Sequence, residues 1–501
     1  MGVTAYARTA AATALAIAAL TAPAAHAVPP PAAACTAAHA GKADINGDGY
    51  DDTVIGDPGA GTGDRVGAGA VTVLYGGKGG IGTGGSATLT QDSPGVATAA
   101  GPGAASGDGF GWSVATAHID DDPCLDVVIG APWRDVDGKP DVGAVYVVYG
   151  SPRGLGRGKA GTVLTPDTWD GSQARALFGF SLAAADATGD DRSAIAAGAP
   201  YTDRGPKPNA GEAYAMWFTK NGTPQNRKVF AEDDPQTREG ALAGGLFGWS
   251  VAIGPLYGDP RRDDLMVGAP REPSAGPAHP GALALLADVS GPSPSAVRTL
   301  GPADLGLSAT GDVRIGYALA YLPGPVDYLA VGAPGAEVSG HPDAGAVPLL
   351  RSNGADFALQ ETVTEGTHGS TTVVEDGDQF GRSVALGRDP KGRVRLGVGM
   401  PYETSRVRHD GAAEVVPLAG GRARDLNQAV TGVPGNPGES AHFGWSVRFA
   451  GAAGSGPFLA GIPDDRDHVS GSVIEAPDTG APRLVVPPPS PSQPLDFGAA
   501  L

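Results

Sequence analysis

Short apolar runs rich in Val, Leu, Ile and Ala recur along this chain, separated by clusters of Gly, Pro, Asp and Ser. Runs of that length between turn residues predict β-strands, and the 3.6-residue spacing of an amphipathic helix is nearly absent after residue 27. The runs keep a fixed order. A Phe-Gly signature stands in "GDGFGWSVA" at 107, "ALFGFSLAA" at 176, "GLFGWSVAI" at 245, "DQFGRSVAL" at 378 and "AHFGWSVRF" at 441, with Ile315-Gly316 in "RIGYALAYL" at 314. These pairs lie 63 to 69 residues apart.

About 20 residues after each comes a strand ending in a second signature, at Pro132, Pro200, Pro270, Pro334, Pro401 and Pro463, and "VIGDP" ending at Pro58 supplies a seventh. A third run follows each Pro, as in "GAVTVLYG" and "GAVYVVYG", and a weaker fourth after that, as in "SATLTQD" and "GTVLTPD". Each unit therefore reads as four strands and three turns. A single four-stranded sheet leaves both faces and both edges bare, so one unit alone is marginal. Seven units packed face to face around an axis bury those faces, and at this repeat length they account for nearly the whole chain after residue 27. The expectation is an all-β, seven-bladed β-propeller over 28–485, followed by a Pro-rich tail over 486–501.

Composition changes the picture in three places. With 80 Gly and 45 Pro among 501 residues the chain could pass for a disordered polymer, but ordered signatures argue otherwise. A formal charge of −19 argues against a nucleic-acid partner, which needs clustered Lys and Arg to displace counterions. The first 27 residues have one Arg near the start, an apolar run from Ala10 to Ala22 and small residues at Ala25 and Ala27. That pattern predicts a signal peptide, an exported protein and no membrane-spanning segment. Export favours a disulfide between the two cysteines, Cys35 and Cys124.

The paired signatures resemble FG-GAP repeats, the units of the integrin alpha-subunit N-terminal propeller. Phe110-Gly111 with Gly130-Ala131-Pro132, Phe178-Gly179 with Gly198-Ala199-Pro200, and Phe247-Gly248 with Gly268-Ala269-Pro270 match both halves of the motif. The first repeat departs from it by having no Phe-Gly ahead of its opening loop. The resemblance implies adhesion or ligand binding, with calcium in the loops of some blades. An integrin alpha chain also carries leg domains and a membrane helix, for which this sequence has no room, so no integrin beta partner is implied.

The opening stretch "ADINGDGYDDTVIGDP" carries the candidate metal ligands. Asp44, Asn46, Asp48 and Asp52 stand at positions 1, 3, 5 and 9 of one loop, Gly49 permits the turn, and the Tyr50 carbonyl is available at position 7. Such an oxygen-only set suits Ca2+. Position 12 is Ile55 rather than the Glu of an EF-hand, so the match is to the loop of FG-GAP repeats and suggests a structural clip rather than a sensor. The other reading is an Asp-Gly turn without an ion. The second loop offers Asp120, Asp122, the Cys124 carbonyl and Asp126, with His118 in place of the leading Asp, so ion and bare turn both stay open. The third offers Asp186 and Asp190 but has Ala194 where the closing Asp belongs, which predicts weak binding or none.

Catalytic signals are missing. Ser113, Ser181, Ser250, Ser383 and Ser446 recur equivalently after the Phe-Gly pairs, none completes G-x-S-x-G, and the histidines show no metal-site spacing. The serines read as structural. Asn221-Gly222-Thr223 fits a glycosylation acceptor. The expectation is a secreted, non-enzymatic, calcium-stabilised module whose loops bind an extracellular protein or cell-surface ligand. A glycan-binding reading rests on Trp133, Tyr201 and Tyr402, each directly after a motif Pro. A third reading, an accessory domain of a secreted hydrolase, rests on the FG-GAP repeats that accompany a secreted phospholipase.

Overall fold

The computed structural model describes residues 35–36 and 42–501 apart from 97–102, 121, 167–170, 172, 189–191, 234–241, 257–261, 272–279, 292–294, 353–356, 466, 468–470 and 486–496. The predicted signal peptide and Asp190 lie outside the described residues. Among the described residues, twenty-seven strands form seven antiparallel sheets, each a simple up-and-down meander in chain order. Blade 1 has β1 (Thr53–Asp57), β2 (Ala70–Tyr75) and β3 (Gly85–Leu89). Blade 2 has β4 (Ser113–Ala117), β5 (Asp126–Ala131), β6 (Ala144–Val148) and β7 (Thr162–Leu164). The other blades cover 181–230, 250–300, 319–363, 383–426 and 447–485, four strands apiece. No α-helix occurs among the described residues, and none of their helices is long and apolar enough to cross a membrane.

Seven apolar clusters are each shared by two neighbouring blades rather than contained in one. Val54, Val71 and Val73 of blade 1 pack with Val127 and Ile129 of blade 2. Val128 and Val147 of blade 2 pack with Ile195 and Tyr214 of blade 3, and the pattern continues around the ring. The last cluster joins Leu459 and Val473 of blade 7 to Ile55 and Leu74 of blade 1, so the seven blades form a complete circle.

The Phe-Gly signature makes each blade-to-blade joint. Phe110 pairs in parallel with Gly69, Phe178 with Gly143, Phe247 with Gly211, Ile315 with Gly281 and Phe443 with Gly411, just before β2 in blade 1 and before the third strand in the others. The recurrent serines complete the joint: Ser113 Oγ donates to Gly179 O at 2.8 Å, Ser181 to Gly248 O at 2.9 Å and Ser250 to Gly316 O at 2.6 Å. The motif Gly lets the next blade approach. A Cβ on Gly130 would stand 2.2 Å from Gly179 O and 2.3 Å from Ser113 Oγ.

Residues 497–501 depart from the sequence reading. They lie within the segment expected to be a tail, yet Phe497 is fully buried in the blade 7–blade 1 cluster. Phe497 pairs with Gly471, Ser446 Oγ donates to Gly498 O at 2.5 Å, and Gly56 N–H donates to Ala500 O at 2.9 Å. Phe497-Gly498 is thus the Phe-Gly pair that blade 1 lacks at its own start. Ala500 supplies a stub of that blade's innermost strand.

Candidate functional site: acidic loops and an aromatic ring

The opening loop is built by its own aspartates. Asp44 Oδ1 accepts the Gly47 and Asp48 N–H groups at 2.6 and 3.2 Å, and Oδ2 accepts Gly49 N–H at 2.7 Å. Asn46 Oδ1 accepts Asp48 N–H at 3.1 Å, and Asp48 Oδ1 accepts Tyr50 N–H at 3.0 Å. Asp52 ties the loop to the far hairpin, taking Ile45 N–H at 2.8 Å and Gly76 N–H at 2.7 Å. Burial above all, with Asp44 and Asp48 adding like charge, pushes the Asp52 carboxyl up to about 8, against the pull of those two N–H donors. The donor set fits calcium by chemistry, since every side-chain ligand is an oxygen and each carboxylate keeps lone-pair capacity beyond these bonds. Its three aspartates do not form a trio of carboxylates with oxygens all within 4.8 Å of one another.

Loop two repeats part of this design. Asp126 accepts Ile119 N–H at 2.7 Å and Gly150 N–H at 2.9 Å, the same two bonds Asp52 makes, and it too is pushed up to about 8, first by burial. The leading position differs. His118 turns to the third loop, its backbone N–H 2.6 Å and its Nδ1 3.1 Å from Asp186 Oδ1, so Asp186 is engaged with the neighbouring blade. Lys159, a residue the sequence reading did not single out, places Nζ 3.4 Å from Asp120 Oδ2 and 3.8 Å from the Tyr149 ring centre. A resident cation therefore stands beside the second loop. Nothing in the motif spacing flagged it, because Lys159 arrives from the turn before β7.

The two loops are joined. Cys35 and Cys124 form a disulfide with Cα atoms 5.3 Å apart, Leu125 N–H donates to Asp44 O at 2.9 Å, and a Cβ on Gly47 would meet Cys35 Sγ at 2.8 Å.

A second feature stands on the residues that follow the Phe-Gly pairs. Trp112, Phe180, Trp249 and Tyr317 run from blade to blade with ring centres 5.5, 4.7 and 5.3 Å apart. Arg382 continues the series, its guanidinium 5.2 Å from the Tyr317 ring, 5.3 Å from Tyr402 and 4.3 Å from Trp445. Ala499 holds the equivalent position in blade 1. These side chains are half-buried. Trp133, Tyr201 and Tyr402 flank them, Trp133 edge-on to Trp112 at 4.7 Å and Tyr201 at 6.3 Å from Phe180. The structure thus brings the three aromatics after the motif prolines onto one surface with a ring whose signal, an aromatic after Phe-Gly, was present in the sequence. A concavity of about 530 Å3 lies instead at the edge of blade 5 beside Pro325, Arg351 and Leu359.

An FG-GAP repeat family model matches residues 96–149. Integrin alpha-PS2 of Drosophila melanogaster is 32% identical over 169 residues, 32% of this chain and 12% of that one. Phosphatidylinositol-glycan-specific phospholipase D of Bos taurus is 30% identical over 201 residues, 38% of this chain and 23% of the relative. The chain therefore spans less than a quarter of the length of these relatives. An alpha-L-arabinanase of Penicillium chrysogenum superposes with a TM-score of 0.40 at 12% identity, over 70% of this chain and 88% of the other, a likeness too low to carry an argument. The fold is an all-β seven-bladed propeller, and the repeat match with the integrin alpha likeness supports an integrin-like FG-GAP type. The relatives named as phospholipase D lean against a reading that excludes any link to catalysis.

Proposed function

We propose that this chain is an exported FG-GAP propeller that binds an extracellular protein or cell-surface ligand across its aromatic face, with calcium in the opening loop as a structural clip. The observation that carries the binding reading is the half-buried series Trp112, Phe180, Trp249 and Tyr317 closed by Arg382 and Trp445. Half-exposed aromatics beside a cation combine large contact area with little side-chain entropy to lose, the composition of interface anchors. Asp44, Asn46, Asp48 and Asp52, with the Tyr50 carbonyl, would hold calcium, and the ion would supply charge neutralisation where Asp52 is 96% buried.

A pull-down from extracellular material, run with calcium and with chelator and repeated with Trp112→Ala/Trp249→Ala, tests this reading. Loss of capture in the variant supports it, and capture equal to wild type removes the aromatic face from the function. Asp48→Ala tests the clip separately: it should reduce the rise in melting temperature that calcium produces, and an unchanged rise removes the ion from this loop.

Trp133, Tyr201 and Tyr402 support a second reading in which sugar rings stack on the same surface. A glycan array without a hit rejects it. Association with a secreted hydrolase is the third, supported by the phospholipase D likeness, and turnover of a glycosylphosphatidylinositol substrate by the purified chain would place the chemistry here.

A further inference from the structure

Between blades 1 and 2 a buried arginine serves as a built-in cation. Arg134 Nη1 donates to Gln91 Oε1 at 2.8 Å, to Asp108 Oδ2 at 2.7 Å and to Gly103 O at 3.1 Å. Each member holds a fixed place in the repeat. Gln91 is two residues past β3, Asp108 two before Phe110, and Arg134 two after the motif Pro132.

The joint between blades 5 and 6 has the same three places with different residues. Glu365 is two past the strand Phe357–Val363, Asp378 two before Phe380, and Glu403 two after Pro401. The trio changes from Gln, Asp and Arg, formally neutral, to Glu, Asp and Glu, formally −3. These carboxylates are 4%, 2% and 6% exposed, and one oxygen from each lies within 4.8 Å of the others. Both carboxylate oxygens of Glu365 and Oε2 of Glu403 are buried without a hydrogen-bond partner. Among the described residues no Lys, Arg or His makes an ion pair with any of the three. The nearby charges are also acidic, Glu375 and Asp410. Burial first, then the facing Glu403 and Asp378, pushes Glu365 up to about 10. Such a group stays charged only beside a cation.

We propose that Glu365, Asp378 and Glu403 bind a divalent cation of the calcium or magnesium type at the blade 5–blade 6 joint, in the place that the Arg134 guanidinium fills between blades 1 and 2. Three carboxylates and no nitrogen or sulfur donor select a hard ion. The ion ties three separate chain segments across two blades, as the arginine does.

The test copies one joint onto the other. Wild type and Glu365→Gln/Glu403→Arg are stripped with chelator, dialysed against calcium, and assayed for bound metal by mass spectrometry and for melting temperature with and without calcium. The double variant is expected to bind one equivalent fewer and, in chelator, to melt higher than wild type. Glu403→Gln, a smaller change, is expected to lose the same equivalent. A folded variant that binds as many calcium ions as wild type overturns the site, as does a wild-type chain with no equivalent beyond that lost in Asp48→Ala. In either case the trio holds protons instead. Magnesium and manganese runs identify the preferred ion, and Asp48→Ala keeps the outcome separate from that of the opening loop.

Discussion

Phe497→Ala tests whether residues 497–501 close the ring. Phe497 is fully buried and packs among Ile55, Leu74, Leu459 and Val473, which come from the first and last blades. Phe178, equally buried, makes the equivalent joint between blades 2 and 3. Removing a buried phenyl ring costs about 3–5 kcal/mol through lost burial and the cavity left behind. Both variants should therefore lose stability by that amount in urea denaturation. They differ in where it is lost. Hydrogen exchange in Phe497→Ala should rise first in β2 and in the strand Ser472–Ala476, whose blades that joint holds together, and later in blade 4. Gly461→Ala gives an independent check, since its Cβ would stand 2.0 Å from Gly498 O. If Phe497→Ala falls within about 0.5 kcal/mol of wild type, the range of an ordinary surface change, while Phe178→Ala costs the full amount, the closure described here is wrong.

Arg134→Ala leaves Asp108 buried without its cation and should cost about 3–5 kcal/mol in thermal or urea melts, with Asp108→Asn added to it recovering part of the loss. Serine at both Cys35 and Cys124 should cost about 4–5 kcal/mol on the loop-closure model for an 89-residue separation, read as the difference between variant and oxidised wild type in urea. Glu414 is fully buried, and burial first, with Asp425 adding to it, pushes its carboxyl up to about 7 despite the Ser370 and Thr372 hydroxyls. Because the folded chain holds this proton more tightly than the unfolded one, Glu414 favours folding below its ordinary pKa near 4.5, and that contribution is lost as pH rises through about 7. The span corresponds to about 3 kcal/mol, so Glu414→Gln should flatten the pH dependence of stability over that window and raise stability at pH 8; an unchanged slope counts against it.

The alternation of apolar runs with Gly, Pro and Asp, and two signatures at a fixed spacing, were enough to specify seven four-stranded blades, because period and punctuation are local properties of the chain. The Asp44–Asp52 turn is equally local, with its oxygen-bearing side chains at alternate positions of one loop, while the ion assigned to it is a proposal. The serines after Phe-Gly read correctly as structural from their repetition alone, while their partner, the next blade's glycine carbonyl, appears only in the folded ring. Tertiary structure decided what distant segments do together. Phe497-Gly498 was visible as a dipeptide, but its role depends on Gly471 and Gly56 standing beside it. That Asp186 faces His118 of the neighbouring blade appears only in the folded ring. Glu365, Asp378 and Glu403 are separated by turns and two strands, and their places in the repeat do not by themselves bring them together; packing two blades face to face removes water from between them and makes their three charges one problem. Sequence sets the blade, and burial at the joints between blades sets the chemistry.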